Sequence, residues 1–336
     1  MISTEETQYL FWITSALWDG RGDVLEVGPW LGGSTWYLAD GMDANPRRRA
    51  DSRLHVIDNF RWRPFMSERS DIRLEPDASF RSCFERNVAP KQHLIVIHEA
   101  SLPDDDSAVL ADPGGVRTGD AGVPQFSGEV LVSPIAIAFV DGAKSWSALR
   151  HLLHELAPRI VPGRTILAFQ DFQAALAYWV PMAVGLLLRT CPDSLMPLHV
   201  LQANTVSFRI EREIPQHAIA GFPKTIAEMR VADGLRLLDD TADLLRRRGD
   251  LVAASTVGLS SVAFLGTKGE WQAARSKFRR VEADWPWQGS SLNQLTAIRR
   301  WIAQEQGSTI VPSRRARALV LYLRVRNGLS RRLLRR

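Results

Sequence analysis

The sequence predicts an α/β protein in which a doubly wound, mostly parallel sheet is followed by a helical C-terminal region. Strand-like apolar runs alternate with helical stretches as far as Ile210, and only helical patterns follow Pro215. Such alternation is typical of parallel strands joined by crossover helices. The last two runs are separated by three residues, which permits an antiparallel hairpin but no crossover helix. With 336 residues, 45% of them hydrophobic, the chain can form a large core and an extension.

The chain begins with a helix, a strand and a glycine-rich turn. Ser3 and Glu6 have capping-box spacing, and apolar residues follow at helical spacing. A buried strand is predicted from Asp23 to Gly28, and the next helix from Ser34 to Leu38. Six more strands are predicted at Leu54–Ile57, Leu94–Ile97, Ile135–Val140, Thr165–Phe169, His199–Leu201 and Thr205–Ile210, with helices at Ser145–Leu156 and Ala174–Leu188. The result is a seven-stranded sheet with one reversed strand at or near its edge.

Two segments exceed ordinary loop lengths, Arg61–Ser79 and Pro103–Pro134. A cluster of cations and aromatic residues, Phe60 to Met66, leads into the first. This composition fits a lid over an acceptor pocket, ordinary core packing or the stacking of nucleobases.

The C-terminal third is predicted to be helical, with a basic tail. Helices are expected at Leu235–Arg248, Leu251–Leu265, Trp271–Ala283 and Ser291–Glu305. Gly269–Pro286 resembles the second half of a tetratricopeptide repeat, and one and a half such units are too few for a free-standing solenoid. We therefore expect a sheet domain at 1–215, a helical appendage at 216–312 and an amphipathic tail at 313–336. The tail fits contact with an anionic membrane surface, docking on the appendage or fraying in solution.

The charge distribution argues against nucleic acid as a partner of the main body. Nine of the 42 Lys and Arg residues are arginines after Pro312, so residues 1–312 carry 33 basic and 37 acidic residues, a net charge of −4. Cys83 and Cys191 match no disulfide framework or zinc motif. The acidic start lacks a secretory signal, and the longest apolar run, 15 residues, is too short to span a bilayer. We expect a cytoplasmic protein, with the tail as an optional contact to the inner face of the membrane.

The sharpest local signal is the turn from Glu26 to Thr35, between a predicted strand and a predicted helix. A dinucleotide fingerprint requires glycine at the position of Trp30, and no Gly-Lys-Ser/Thr follows for a phosphate loop. The turn therefore suits a ligand without a pyrophosphate. Glu26 would accept from an ammonium, the helix start at Gly33 and Ser34 would donate to a carboxylate, and Asp58 would bind a ribose diol. S-adenosylmethionine meets all three requirements.

Five ordered segments resemble motifs of class I S-adenosylmethionine-dependent methyltransferases, with the closest likeness to small-molecule O-methyltransferases of the catechol and macrocin type. These segments are Glu26–Thr35, Val56–Asp58, Ile97–Ser101, Phe139–Trp146 and Val161–Asp171. The resemblance implies a Rossmann-like sheet over residues 1 to about 212. It also implies cofactor-binding roles for the following residues: Glu26, Gly28, Gly33 and Ser34 at the methionine end, Asp58 at the ribose, and Glu99, Ala100 and Ser101 at the adenine.

The resemblance further implies catalytic and metal-binding residues. Asp141 and Asp171 match two aspartates that bind a divalent cation in metal-dependent members, and Lys144 matches a proposed base. Mg²⁺ could bind and acidify an acceptor hydroxyl, and Lys144 beside such a cation would have a lowered pKa. The sequence departs from the catechol-type pattern at Phe172, where an amide ligand is usual. Gln170, Gln173 or the acidic residues 104–106 are the alternatives.

The function predicted from the sequence is transfer of a methyl group from S-adenosylmethionine to a hydroxyl of a sugar, glycan or natural product, with Mg²⁺ assistance. The alternatives are a non-catalytic methyltransferase-like scaffold that binds a protein partner, or an N- or RNA methyltransferase. Homo-oligomerisation is compatible with each of these functions.

Overall fold

The computed structural model describes residues 2–103, 122–200, 204–284 and 290–304. Within them, seven strands form one sheet in the order β3-β2-β1-β4-β5-β7-β6. The strands are β1 (Asp23–Val27), β2 (Leu54–Asp58), β3 (Ile95–Glu99), β4 (Ile135–Val140), β5 (Ile166–Phe169), β6 (Leu195–Val200) and β7 (Val206–Ile210). The predicted Rossmann-like fold is confirmed.

One strand of the sheet is antiparallel to its neighbours, and the order of the strands reverses at a second place. Strands β1 to β5 are parallel, and β7 runs antiparallel to both β5 and β6. The reversed strand is thus second from one edge, as the short predicted hairpin requires. Because β1 lies between β2 and β4, the order of the strands reverses beside β1, and the carboxyl ends of the parallel strands meet at one edge there.

Helices cover both faces of the sheet and form the C-terminal region. They are α1 (Thr4–Trp12), α2 (Gly33–Ala44), α3 (Pro64–Arg69), α4 (Arg81–Val88), α5 (Trp146–Leu156), α6 (Trp179–Thr190), α7 (Gln216–Ala220), α8 (Val231–Arg247), α9 (Leu251–Thr267), α10 (Trp271–Asp284) and α11 (Ser290–Gln304). No helix of the described residues combines the length and apolar character needed to cross a bilayer.

The first residues of two predicted helices show one agreement with the structure and one difference from it. The predicted capping box of α1 is present, since the Ser3 backbone amide donates to Glu6 Oε2 at 2.7 Å. The helix expected from Ala174 begins only at Trp179, because the preceding residues form successive tight turns after β5. Sequence periodicity cannot distinguish buried turns from a buried helix in a short apolar run.

The long segment after β2 is anchored in the core at its start, whereas most of its other described side chains are half-buried or exposed. The side chains of Phe60 and Trp62 are completely buried, and both rings contact Phe80. Of the three interpretations of this cluster, core packing therefore describes Phe60 and Trp62. Arg63 instead faces the carboxyl edge of the sheet and forms an ion pair with Asp77 at 2.5 Å.

Residues Met1–Leu295 form one compact unit. Inside it, α8 packs against both α6 and α9, and most of α9 is buried. The second unit, Thr296–Arg336, is described only for 296–304, the end of α11. The predicted tail at 313–336 lies outside the described residues.

The contact between α6 and α8 depends on a glycine, which gives a first prediction. A Cβ atom on Gly185 would lie 2.0 Å from the Leu237 carbonyl oxygen. We expect Gly185→Ala to lower the free energy of unfolding by about 1–3 kcal/mol, because the two backbones must separate. Urea unfolding followed by circular dichroism measures the change.

Gly221→Ala is the matched control for this prediction. Gly221 has an ordinary φ of −67°, and a Cβ atom added there would lie 3.4 Å from the nearest atom, a backbone oxygen. Equal losses of stability in both variants would contradict a specific role for Gly185.

Candidate functional site

An open cleft lies at the carboxyl edge of the sheet, beside the reversal of strand order at β1. The space enclosed within it is about 140 Å³, less than the roughly 300–1,000 Å³ of typical small-molecule sites. The lining includes Gly28, Asp58, Arg63, Ala100, Ser101 and Lys144. The cleft therefore brings together residues that follow four parallel strands, β1 to β4.

The floor of the cleft is a close contact between two glycines. Gly28 has a φ of +82°, and a Cβ atom there would lie 2.4 Å from the Gly142 Cα atom. The Gly142 backbone amide donates to the Val27 carbonyl oxygen at 2.7 Å. Any side chain at position 28 would strain the backbone and overlap its neighbour. The pair leaves a bare backbone surface that a ligand can approach.

Glu26 is a completely buried carboxylate with one unsatisfied oxygen. Its Oε2 accepts from the Thr35 hydroxyl at 2.5 Å, while Oε1 has no hydrogen-bond partner among the described residues. Burial raises the pKa of Glu26 to about 7, against hydrogen bonds that act in the opposite direction. A buried acceptor without a donor is costly, so this oxygen fits an ammonium or water brought by a ligand.

The predicted carboxylate site is at the start of α2. Gly33 is the first residue of this helix and has open space around its Cα, whereas Ser34 is buried. Free backbone amides at a helix start suit an anionic group.

The residues predicted at the ribose and adenine separate into two groups. Asp58, Ala100 and Ser101 line the cleft. The Asp58 carboxylate accepts from the Phe60 amide at 2.6 Å, and the Asp58 carbonyl accepts from the Ala100 amide at 2.9 Å. Glu99 is not among the lining residues in the described part of the chain; its carboxylate forms an ion pair with Arg81 at 3.1 Å.

A second polar cluster lies beside the cleft, after β4 and β5. Lys144 Nζ donates to Asp141 Oδ1 at 2.5 Å and also to Asp171 Oδ2. Asn204 Nδ2 donates to Asp171 Oδ1 at 2.7 Å. The sequence places these groups at separate strand ends, and the structure joins them into one bridged cluster.

The charges of this cluster correct one expectation. Partial desolvation disfavours the Lys144 ammonium, but two carboxylates outweigh this and raise its pKa. The lowered pKa expected for Lys144 is therefore wrong for this arrangement. Desolvation raises the pKa of Asp141 despite the nearby ammonium. Desolvation also tends to raise the pKa of Asp171, but the charge of Lys144 and the hydrogen bonds from Lys144 and Asn204 hold this pKa below its ordinary value.

The cluster does not fit the Mg²⁺ expected from the sequence. The Lys144 ammonium lies between the two carboxylates that would be ligands, and an amide N–H faces Asp171. No group of three or more His, Cys, Asp or Glu side chains within the described residues is arranged to hold a metal ion. The alternative ligands at 104–106 lie outside the described residues.

Asn204 is the residue that sequence reasoning missed. The sequence pattern assigns it only to the hairpin turn, 33 positions from Asp171. Of the alternatives expected to supply an amide at this site, Gln170 does reach the cluster: in the amide orientation that satisfies its neighbours, its amide nitrogen donates to Asp141 Oδ1 at 2.6 Å. A signal for Asn204 exists only in the topology, which brings the start of β7 next to the end of β5.

No protein-family model matches the sequence, and a search of curated proteins returned no match. Among solved structures, the chain is similar to TomG, an O-methyltransferase from Streptomyces achromogenes involved in tomaymycin synthesis. The identity is 14% over 63% of this chain and 82% of TomG, with a TM-score of 0.38.

Two further similar structures are also O-methyltransferases. One is an enzyme from Bacillus cereus in complex with S-adenosylhomocysteine, with 12% identity over 62% of this chain and 82% of that one, and a TM-score of 0.38. The other is CalS11, a TDP-rhamnose 3'-O-methyltransferase of calicheamicin biosynthesis, with 14% identity, coverage of 61% and 77%, and a TM-score of 0.39. At these values the similarities assign no activity to this chain.

The buried Glu26 gives a pH-dependent prediction. Its folded pKa of about 7 lies above the ordinary 4.5, so between these pH values the folded state holds more protons than the unfolded state. Stability from this group is present at low pH and is lost as pH rises through about 7. We expect the free energy of unfolding of Glu26→Gln, relative to the wild type, to increase by about 3 kcal/mol at most across this window.

Chemical unfolding of both proteins at a series of pH values measures this difference. Glu5→Gln, on the exposed side of α1, reports the effect of removing an acid elsewhere. A difference between Glu26→Gln and wild type that stays constant with pH would show that Glu26 does not titrate in this window.

Proposed function

We propose that this protein is an S-adenosylmethionine-dependent methyltransferase that acts on a hydroxyl group. The observation that carries the proposal is the buried Glu26 Oε1, which lacks a partner among the described residues. Glu26 is the second-last residue of β1, two positions before Gly28, and its carboxylate is close enough to Asp58 and Asp141 for their charges to act on it. A ligand with an ammonium and no pyrophosphate satisfies this acceptor. Asp58 lines the same cleft at the end of the adjacent strand β2.

The residues present fit this cofactor. Glu26 would accept from the methionine ammonium, and the start of α2 at Gly33 would donate to the carboxylate. Asp58 would accept from the ribose hydroxyls, and Ala100 and Ser101 would form the wall beside the adenine. When bound, S-adenosylmethionine would supply a methyl group on a sulfonium.

The neighbouring cluster supplies the groups that a hydroxyl acceptor requires. A hydroxyl must lose its proton as its oxygen takes the methyl group, and Asp141 is the proton acceptor in this proposal. Its raised pKa makes it a stronger base than an ordinary aspartate. Lys144 donates a hydrogen bond that orients the acceptor oxygen, while Asp171 and Asn204 hold the cluster in place.

The acceptor class follows from the same groups. An ammonium that lines an open, polar cleft, with two carboxylates bonded to it, suits a molecule with several hydroxyls, such as a sugar, a glycan or a glycosylated natural product. An amine acceptor would place a second cation next to Lys144 and is disfavoured.

Cofactor binding gives a direct prediction. We expect micromolar binding of S-adenosylmethionine and S-adenosylhomocysteine by calorimetry, weakened at least about 100-fold in a Glu26→Ala/Asp58→Ala variant, because two charge-assisted contacts are lost. Asp51→Ala is the control, since Asp51 is exposed and lies before β2 at the opposite edge. Absence of binding in the wild type would favour the scaffold interpretation over an enzyme.

Turnover gives a separate prediction for Asp141. With a panel of hydroxyl acceptors and S-adenosylhomocysteine formation as the readout, we expect Asp141→Asn to lower the rate by about 100-fold or more. Its cofactor affinity should stay within about threefold of the wild type, because the cofactor groups are intact. Full activity of Asp141→Asn, or activity on amines alone, would contradict the proposed chemistry.

A further inference from the structure

The cluster beside the cleft contains its own cation. Asp141 follows β4 and Asp171 follows β5, two neighbouring parallel strands. Both carboxylates accept from the single Nζ atom of Lys144, which is held from both sides. The Lys144 side chain is 44% exposed and also lines the cleft, so its ammonium lies between the carboxylates and the ligand space.

The hydrogen bonds of Asp171 are incompatible with a role as a metal ligand in this arrangement. Its Oδ2 accepts from Lys144, and its Oδ1 accepts from the Asn204 amide. Mg²⁺ requires about six oxygen ligands in near-octahedral geometry at about 2.1 Å. Here two donor groups point at the carboxylate, and the amide presents its nitrogen rather than its oxygen to Asp171.

The local charge balance leads to the same conclusion. Two carboxylates on adjacent strand ends would repel each other strongly without a positive partner, and a divalent ion is one solution. The ammonium provides one positive charge, leaves a net charge of −1 on the three groups, and needs no ligand from solvent. Displacing it would break two charge-assisted hydrogen bonds.

We propose that Lys144 is a built-in replacement for a divalent cation, so that the Asp141–Asp171 pair neither requires nor binds Mg²⁺ in the native protein. The role of this ammonium in orienting an acceptor hydroxyl rests on the proposed function. The replacement of the metal does not, because it follows from the contacts of Lys144, Asp171 and Asn204 alone.

The test is titration of the full-length protein with Mn²⁺ after chelator treatment, followed by electron paramagnetic resonance and calorimetry without any cofactor. We expect no saturable site in the wild type below about 1 mM Mn²⁺, and one new site in Lys144→Met that binds at least about tenfold more tightly. Methionine keeps the length of the side chain and removes its charge. Lys144→Arg retains a cation and should resemble the wild type.

Two further variants control the interpretation. Lys144→Met/Asp171→Asn should lose the new site, because one of its two carboxylates is gone. Lys91→Met is the matched control, since Lys91 also bridges two aspartates, Asp40 and Asp43, at 2.7 and 3.0 Å on the surface of α2. It should gain no comparable site, because exposed side chains on a helix surface do not form a fixed ligand set.

Three outcomes would overturn the proposal: one tight Mn²⁺ site in the wild type that Asp171→Asn removes, no site in Lys144→Met, or an equal gain in Lys91→Met. Lys144→Gln serves as a second neutral variant should the methionine variant fail to fold. A protein that responds to Mn²⁺ as expected but binds no S-adenosylmethionine would refute the proposed function and leave this inference standing.

Discussion

The site depends on the close approach of the ends of β1 and β4. The Val27 carbonyl oxygen accepts from the backbone amides of both Asp141 and Gly142, at 2.9 and 2.7 Å, so the two chains turn away from the sheet in contact. Only glycine at positions 28 and 142 permits this, because a Cβ atom on either would overlap the backbone of the other. The same contact that forms the floor of the cleft also places Asp141 beside it. Cofactor binding and proton transfer would therefore share one structural element.

The buried and half-buried acids of this edge are stabilised in two different ways. The charge of Glu26 is opposed by burial and by the neighbouring acids Asp141 and Asp58, so a positive group from a ligand would improve its environment. Asp171 already has a cation in Lys144 and a donor in Asn204. In the proposed function, the β1 end would therefore bind a cationic group of the ligand, whereas the carboxylates at the β4–β5 end already have a cationic partner in Lys144. A divalent ion and a cationic ligand would otherwise compete for neighbouring carboxylates.

Most of the sheet and the positions of its strand-end acids could be predicted from the sequence, because alternation and glycine turns are local patterns. Glu26, Asp58 and Asp141 fall at strand ends for this reason. The pairing of these groups could not be predicted, since it depends on contacts between distant parts of the chain. Lys144 donates to Asp171, which lies 27 positions later in the sequence, and Arg81 donates to Glu99, which lies 18 positions later. The predicted direction of the Lys144 pKa shift is wrong because the family resemblance assigns both of its carboxylate partners, Asp141 and Asp171, to a metal ion.

The backbone at Asp171 supports a functional reason for this cluster. Its φ of +61° lies in the left-handed region, which Asp tolerates better than most residues but at a cost of about 1 kcal/mol. Glycine, which has no Cβ atom, would adopt this turn with less strain. The carboxylate is the feature that glycine lacks, and both of its oxygens are occupied by Lys144 and Asn204. An acid therefore occupies a position where glycine would be less strained. Asn204, at the start of the reversed strand β7, holds the Asp171 carboxylate beside the cleft.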